Sequence, residues 1–260
     1  MTLENLTNKP LVEAIFEIRW YVEQPQLIGG DPNTQLILGR LFDRINENYP
    51  VYEQLPFASI PEQMAEGIIK HRFKSNQGWP LVQLGNGILT VNDTENYIWQ
   101  DFKKRIIEVV DNLYIVHPSK DKFRPRHLIL KYIDAIDLNL KENEFYEFLK
   151  NRMKIELNLN PLLFEKTLVK NNPIQLDLQF AFNSENPKGI VNFRIVKGQK
   201  LDNQTNLPSD ALIWEITIQS IAPDLPEIPA NLDKWLENAH SVCHNWFFTL
   251  VDGDLLRSFE

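Results

Sequence analysis

The order in which extended and helical patterns follow one another constrains the fold of this chain more than any other feature. Residues 11–22 alternate between apolar and mixed side chains, which predicts a half-buried strand. Apolar stripes at helical spacing predict helices over 33–48 and from 95 to 118. Three strands are predicted between them, over 68–75, 81–84 and 88–92, and Asn86-Gly87 joins the last two as a hairpin turn.

The same order starts again after the polar, proline-containing residues 118–125. A strand (126–140) and a helix from residue 143 are followed by three strands (174–183, 191–195, 212–219) and a helix over 231–251. We therefore predict an α+β fold of two similar β-α-β-β-β-α halves, residues 1–118 and 119–260, in one continuous globular unit. Hairpin-joined strands imply an antiparallel sheet with helices on one face, as in helix-grip or saddle-like folds.

Polar residues on the strands define the candidate working surface. If helices cover one face of the sheet, the other face must meet water, a ligand or a partner. The alternation of the strands assigns to that face Glu13, Glu17, Arg19, Lys131, Asp177, Gln179, Asn192, Arg194, Glu215 and Gln219. Such a mixture of charges suits recognition by ion pairs and hydrogen bonds, and a solvated face with internally paired charges is the alternative.

The last helix carries a weaker candidate for a metal site. Asp233, Glu237, His240 and His244 recur on one helical stripe, and His-x-x-x-His can hold a divalent ion from consecutive turns. The glutamate that follows the first histidine in helical zinc hydrolases is missing here. A boundary stripe with locally hydrogen-bonded histidines is the other interpretation, and Cys243 is predicted to be a small core residue.

Composition limits which classes of partner and which cellular compartment we expect for this chain. The formal net charge is −8, from 35 acidic and 27 basic residues, which disfavours nucleic acid as a partner. A single cysteine and a polar N-terminus without a signal-like stretch lead us to expect a cytoplasmic protein, and no apolar run is long enough to span a membrane. The phosphate-binding glycine motifs and the nucleophile-elbow motif are absent from the sequence, so we expect no cofactor.

Residues 10–19, PLVEAIFEIR, resemble the opening motif of a sporadically distributed bacterial family of uncharacterised proteins about this long. Trp99-x-x-Phe102, the strand 130–134 and His240 are also similar to that family, with Lys131 standing where the family carries arginine. The resemblance implies no known activity, cofactor or catalytic residue. The patchy distribution of the family implies a component of a mobile or defence-type system.

These observations favour a non-catalytic interaction protein that binds another protein through its open sheet face, with a homo-oligomer as a further option. The sequence is also consistent with two other functions. One is a sensor that binds a small ligand or nucleotide between the sheet and the helices, and the other is a metal-dependent hydrolase built on the last helix.

Overall fold

The computed structural model describes residues 6–21, 32–61, 64–94, 96–118, 123–138, 145–201, 208–251 and 253–260. In chain order its strands are β1 (Leu11–Trp20), β2 (Val51–Gln54), β3 (Ile69–Lys74), β4 (Leu81–Gly85), β5 (Ile88–Asp93), β6 (Pro125–Asp137), β7 (Leu176–Glu185), β8 (Lys188–Leu201) and β9 (Pro208–Ile221). Its helices are α1 (Pro32–Ile45), α2 (Trp99–Val116), α3 (Phe145–Met153), α4 (Leu162–Glu165), α5 (Leu232–Leu250) and α6 (Asp254–Arg257).

All nine strands form one sheet in the order β2-β3-β4-β5-β1-β6-β9-β8-β7, and every neighbouring pair is antiparallel. The predicted α+β class and the antiparallel sheet are confirmed. The Asn86-Gly87 turn is also confirmed, because Gly85 pairs with Ile88 and Gly87 adopts a positive φ of 72°. The strands before residue 118 lie on one side of a central β1–β6 pair, and the later strands lie on the other side.

One face of the sheet is apolar from edge to edge. Residues that stand directly opposite one another form a single row across all nine strands: Tyr52, Phe73, Val82, Val91, Phe16, Leu130, Ile218, Val191 and Phe182. The central members of this row are fully buried, whereas Tyr52 and Phe182 at its two ends are exposed. Because side chains alternate across a strand, this row fixes which residues lie on the opposite face.

The described helices cover this apolar face. Phe42 of α1 stacks on Phe73, and Trp235 of α5 packs edge-on against Phe16. Trp99 of α2 lies flat against His240 of α5, with ring centroids 3.9 Å apart, so the two long helices contact each other above the sheet. The opposite face is therefore left open by the described helices, as the alternation predicted.

Some boundaries differ from the sequence-based predictions. The short edge strand β2 was missed because four residues cannot display a period, and the one-turn helices α4 and α6 were missed for the same reason. The stripe predicted to continue to Leu157 ends at Met153, because Lys154 adopts a left-handed φ of 54° that stops the helix. Residues 119–122 at the predicted boundary, 139–144 before α3 and 22–31 after β1 lie outside the described residues. None of the described helices is both long and apolar enough to cross a membrane.

Candidate functional site

A chain of charged residues crosses the later strands on the open face. Lys131 Nζ of β6 lies 2.6 Å from Glu215 Oε2 of β9, and Glu215 Oε1 accepts from Arg194 Nη1 of β8 at 3.4 Å. Arg194 continues to β7, where its Nε and Nη2 donate to the two carboxylate oxygens of Asp177 at 2.9 and 2.8 Å. These bonds lower the pKa of the Asp177 carboxyl. Gln179 stands opposite Arg194 in the sheet register.

A second polar chain crosses the earlier strands on the same face. Glu13 Oε1 of β1 accepts from Asn92 Nδ2 of β5 at 2.7 Å, and Asn92 Oδ1 accepts from Thr90 Oγ1 at 2.6 Å. Gln83 of β4 donates to both Thr90 and Asn92, and it accepts from Arg72 Nε of β3 at 3.1 Å. The sequence did not indicate that Gln83, Thr90 and Asn92 belong to this polar chain, because their bonds depend on which strands are neighbours and in which register they pair.

The remaining predicted residues of the face lie near the end of β1. Glu17 and Arg19 form an ion pair at 2.5 Å within that strand. His127 of β6 shares a hydrogen bond of 2.9 Å with Gln219 of β9, and burial lowers the pKa of its imidazole. The strand geometry therefore places all the sequence-predicted strand residues on one surface. Most belong to the two bonded chains or to this third small group, and Gln179 and Asn192 are assigned to the face by their place in the strand register.

A group of apolar side chains surrounds Lys131, where the two polar chains approach each other on β1 and β6. Ile15 of β1 stands opposite Lys131, Ile129 stands opposite Glu17, and Ile133 stands between Glu13 and Glu215. Ile213 of β9 extends this patch toward β8, where it stands opposite Val196. We define Ile15, Ile129, Ile133 and Ile213 as the isoleucine patch. All four are half-buried on a face that the described helices leave uncovered.

The charges of the open face pair largely with one another. The acidic residues Glu13, Glu17, Glu53, Asp177 and Glu215 are accompanied by the cations Arg19, Arg72, Lys74, Lys131 and Arg194. Two further acids, Asp137 and Glu185, lie on this face at the ends of their strands. A face balanced in this way creates no large single-sign potential that would attract a polyanion. Its chemistry suits a surface with its own mixture of charges and an apolar centre.

The histidine stripe of α5 is engaged in other contacts. Glu237 is paired with Lys103 of α2 at 2.5 Å, which also contacts Asp233 at 3.0 Å. His240 stacks on Trp99, and its Nδ1 shares a hydrogen bond of 2.9 Å with the hydroxyl of Tyr132. His240 and His244 have ring centroids 5.6 Å apart, and the described residues contain no group of three acidic, histidine or cysteine side chains placed to hold a metal ion.

Beneath α5, His240 and Cys243 lie beside Asp134, a buried carboxyl that the sequence pattern did not indicate as a site residue. Asp134 of β6 is 2% exposed and has no side-chain hydrogen bond to another described residue. Burial raises its pKa to about 8, while burial and the neighbouring His244 lower the pKa of His240 to about 3. Burial also raises the pKa of the Cys243 thiol, so these groups are predominantly neutral at pH 7. The space that they enclose, about 10 Å³, is near the minimum for one water molecule.

A larger groove lies beside the N-terminal half of α2. It encloses about 380 Å³ and is lined by Asn48, Tyr49, Pro80, Asp101, Lys104, Arg105 and Glu108. Arg105 Nη1 lies 2.6 Å from Asp93 Oδ2, but burial of Asp93 outweighs this attraction and raises the pKa of the carboxyl. Burial likewise raises the pKa of Tyr49 to about 12. The groove is therefore lined by both acidic and basic side chains and by the uncharged hydroxyl group of Tyr49.

Comparison with known proteins leaves the family of this chain unassigned. No family model matches it, and no curated protein matches it. Among solved structures, the Methanococcus jannaschii TBP matches over 90% of this chain and 99% of its own length, at 12% sequence identity and a TM-score of 0.27. A likeness this low carries no argument about function, so what this chain is similar to does not say what it binds.

Proposed function

We propose that this chain is a non-catalytic binding protein that engages another protein through its open sheet face. The observation that carries the proposal is the isoleucine patch, which the two polar chains adjoin. Protein interfaces typically combine an apolar centre with a polar rim whose hydrogen bonds and ion pairs set orientation. The four isoleucines are half-buried within the sheet, and a partner would remove the rest of their surface from water.

A protein partner suits this face better than nucleic acid does. Binding to a phosphate backbone requires unpaired lysines and arginines, whereas Arg194 and Lys131 are already bonded to acidic side chains. The chain as a whole carries a formal net charge of −8. A partner with its own pairs of charges could exchange ion pairs with the face without leaving a charge unpaired.

The wider setting of this proposal rests on the sequence. The resemblance of residues 10–19 to a sporadically distributed bacterial family supports a component of a mobile or defence-type system that acts in the cytoplasm. We also propose that the two halves are an architectural repeat in a saddle-like arrangement. The equivalent order of elements on the two sides of the β1–β6 pair supports this idea.

Substitution of Ile133 by lysine tests the binding face. Glu13 and Glu215 stand opposite this position on the two neighbouring strands, so the introduced ammonium group has carboxylates beside it and the sheet is expected to remain folded. A charge at the centre of an interface must lose water on binding, which weakens association strongly. We therefore expect Ile133→Lys to abolish co-purification of the partner from the native host.

The control is Ile115→Lys, the same substitution on the outer surface of α2, where the side chain is 47% exposed. It should recover the partner as the unaltered protein does, and thermal melts should show both variants folded. Equal recovery by the two variants, or recovery of no partner by the unaltered protein, would count against the open face as a binding site.

A second candidate function is the binding of a small ligand in the groove of α2. Its volume of about 380 Å³ lies in the range of natural ligand pockets, and its mixed charges suit a molecule that carries both a cation and an anion. Thermal shift with nucleotides and amino acids would test this candidate. Stabilisation that disappears in Lys104→Ala would favour the groove, and the absence of stabilisation by any compound would oppose it.

A further inference from the structure

None of the described residues protects the outer edge of β7. This strand is 10 residues long, it ends the sheet, and its only neighbour among the described strands is β8. No described residue makes a backbone hydrogen bond to its outer side. Natural edge strands are commonly protected by lysine, proline, a bulge or short length, because their free N–H and C=O groups can pair with another chain. Residues 176–185 contain no lysine, arginine or proline, and their pairing with β8 is uninterrupted.

The opposite edge of the sheet is protected. There, β2 has only four residues, and it lies between Pro50 and Pro56. Proline donates no backbone hydrogen bond and cannot continue a ladder. Among the described strands, strand addition is therefore favoured at the β7 edge over the β2 edge, which favours a closed pair of chains over an open-ended array.

Exposed apolar side chains accompany the open edge. Phe180 and Phe182 of β7 are 41% and 46% exposed, and their rings stack on each other with centroids 6.2 Å apart. Ile174, two residues before the strand, is 98% exposed. Apolar groups clustered along an unpaired backbone edge are typical of an association surface.

We propose that β7 pairs antiparallel with β7 of a second copy of this chain, around a two-fold axis that passes through Phe180. In this register Phe180 faces its own counterpart, Leu178 faces Phe182, and Leu176 faces Ser184. On the open face Asp177 faces Asn183, and Gln179 faces Ala181.

The occupant is identified as a second copy by the self-complementarity of the strand. Around Phe180 the two central phenylalanines meet each other and Leu178 meets Phe182, while Asp177 meets Asn183 and not an acidic residue. Moving the axis to Ala181 would place Asp177 opposite Glu185, which like-charge repulsion disfavours. A two-fold contact requires such a pattern, because the same surface serves both chains.

The proposed pair would join two nine-stranded sheets into one. Asp177 would keep its bidentate bond to Arg194, since that bond runs toward β8 and away from the outer edge. The open faces of the two copies would lie side by side on one continuous sheet. This inference does not depend on the proposed binding of another protein, and it can fail or succeed separately.

The mass of the protein in solution tests the pairing first. Light scattering should give twice the chain mass of 30.5 kDa at high concentration and approach a single chain mass on dilution. In Phe180→Lys two ammonium groups would face each other at the axis and two buried rings would be lost, so the dissociation constant should rise about 100-fold or more. Phe57→Lys, at a residue 58% exposed on the turn after β2, is the matched control and should leave the mass unchanged.

Cysteine cross-linking tests the register. Opposite residues of an antiparallel pair have Cα atoms about 4.5–5.5 Å apart, within disulfide range, so Phe180→Cys should form an interchain disulfide under mild oxidation. Ala181→Cys should not cross-link to itself, but it should cross-link to Gln179→Cys when the two variants are mixed. The native Cys243 is buried and should not interfere.

A dimer that Phe180→Lys dissociates and Phe180→Cys cross-links supports the proposal. A protein that stays monomeric at every concentration overturns it, including the case in which another protein adds its own strand to this edge. A dimer that survives Phe180→Lys, or that cross-links through Ala181→Cys alone, overturns it as well, because the interface or its axis then lies elsewhere.

Discussion

Replacement of Asp134 by asparagine should make the protein more stable at neutral pH. Asp134 is buried beneath α5, where no described side chain bonds to it, and burial raises its pKa from 3.8 to about 8. The folded state therefore holds the neutral acid at pH 7, whereas the unfolded chain releases the proton. Because the folded state binds more protons than the unfolded state between pH 4 and 8, this group lowers the free energy of unfolding as pH rises.

The pKa values of the two states set the size of the effect. Each pH unit above the unfolded pKa of 3.8 costs about 1.4 kcal/mol until the folded pKa is reached. At pH 7 the accumulated cost is about 4 kcal/mol, and at pH 5 it is roughly 1–2 kcal/mol. Asparagine has nearly the same shape and carries no titrating proton. The stability of Asp134→Asn relative to the unaltered protein should therefore increase by roughly 2–3 kcal/mol from pH 5 to pH 7.

Urea unfolding of both proteins at pH 5, 6 and 7 measures this difference. The neighbouring titratable groups, Tyr132, His240, Cys243 and His244, are present in both proteins, so their own contributions cancel to first order. Asp137→Asn, at the exposed end of the same strand, is the control for the removal of a carboxylate from β6. Parallel stability curves for Asp134→Asn and the unaltered protein would refute the reasoning, since the carboxylate would then be ionised and compensated in the fold.

Three further substitutions probe the same structure. His240→Gln should remove one contribution to the pH dependence of unfolding, a loss of stability as pH falls from 6.5 toward 3, because the folded state holds this imidazole neutral while the unfolded chain protonates it. Identical pH dependence in His240→Gln and the unaltered protein would contradict this reasoning. Arg105→Ala should lower the free energy of unfolding by about 2 kcal/mol in urea denaturation, since it leaves the buried Asp93 carboxyl without its cation. Gly189→Ala should lower the melting temperature by several degrees, because a methyl group there would overlap the carbonyl oxygen of Gln219 on β9.

The second and third substitutions have matched controls on the same chain. Lys150→Ala, which removes an exposed ion pair with Glu156, is the control for Arg105→Ala and should leave the urea midpoint almost unchanged. Gly39→Ala on α1, where a methyl group meets nothing within 4 Å, should be neutral or stabilising. Equal effects in a variant and its control would contradict the contact on which that prediction rests.

Period-two alternation was sufficient to find most of the sheet. Phe16, Leu130 and Ile218 are all apolar and all face the core. The alternation within each strand therefore indicates which side chains face the core, without knowledge of the neighbouring strands. The short strand β2 contains no such repeat, and its position depends on pairing with β3. The local pattern was therefore enough to predict whether a segment is a strand or a helix. It could not predict where an element ends, because that depends on the backbone conformation of a single residue such as Lys154.

The candidate face was only partly predictable for a related reason. Glu13, Arg194 and Glu215 could be placed on it by counting along their strands, but the bonds that join them depend on register, which spans distant parts of the sequence. The isoleucine patch was missed because its members occupy positions that the alternation assigns to polar residues. Asp134 was overlooked for the opposite reason, since it occupies an apolar position that a hydrophobic residue would normally fill.

The contact between β1 and β6 makes the early part of the chain depend on the later part. These strands bring the early and late parts of the sequence together at the middle of the sheet, and the hydroxyl groups of Tyr97 and Tyr132 bond across the same junction at 2.8 Å. A polypeptide of residues 1–118 alone would have a bare β1 flank and an uncovered Trp99. Residues 1–118 are therefore not expected to stay folded when they are produced without the rest of the chain.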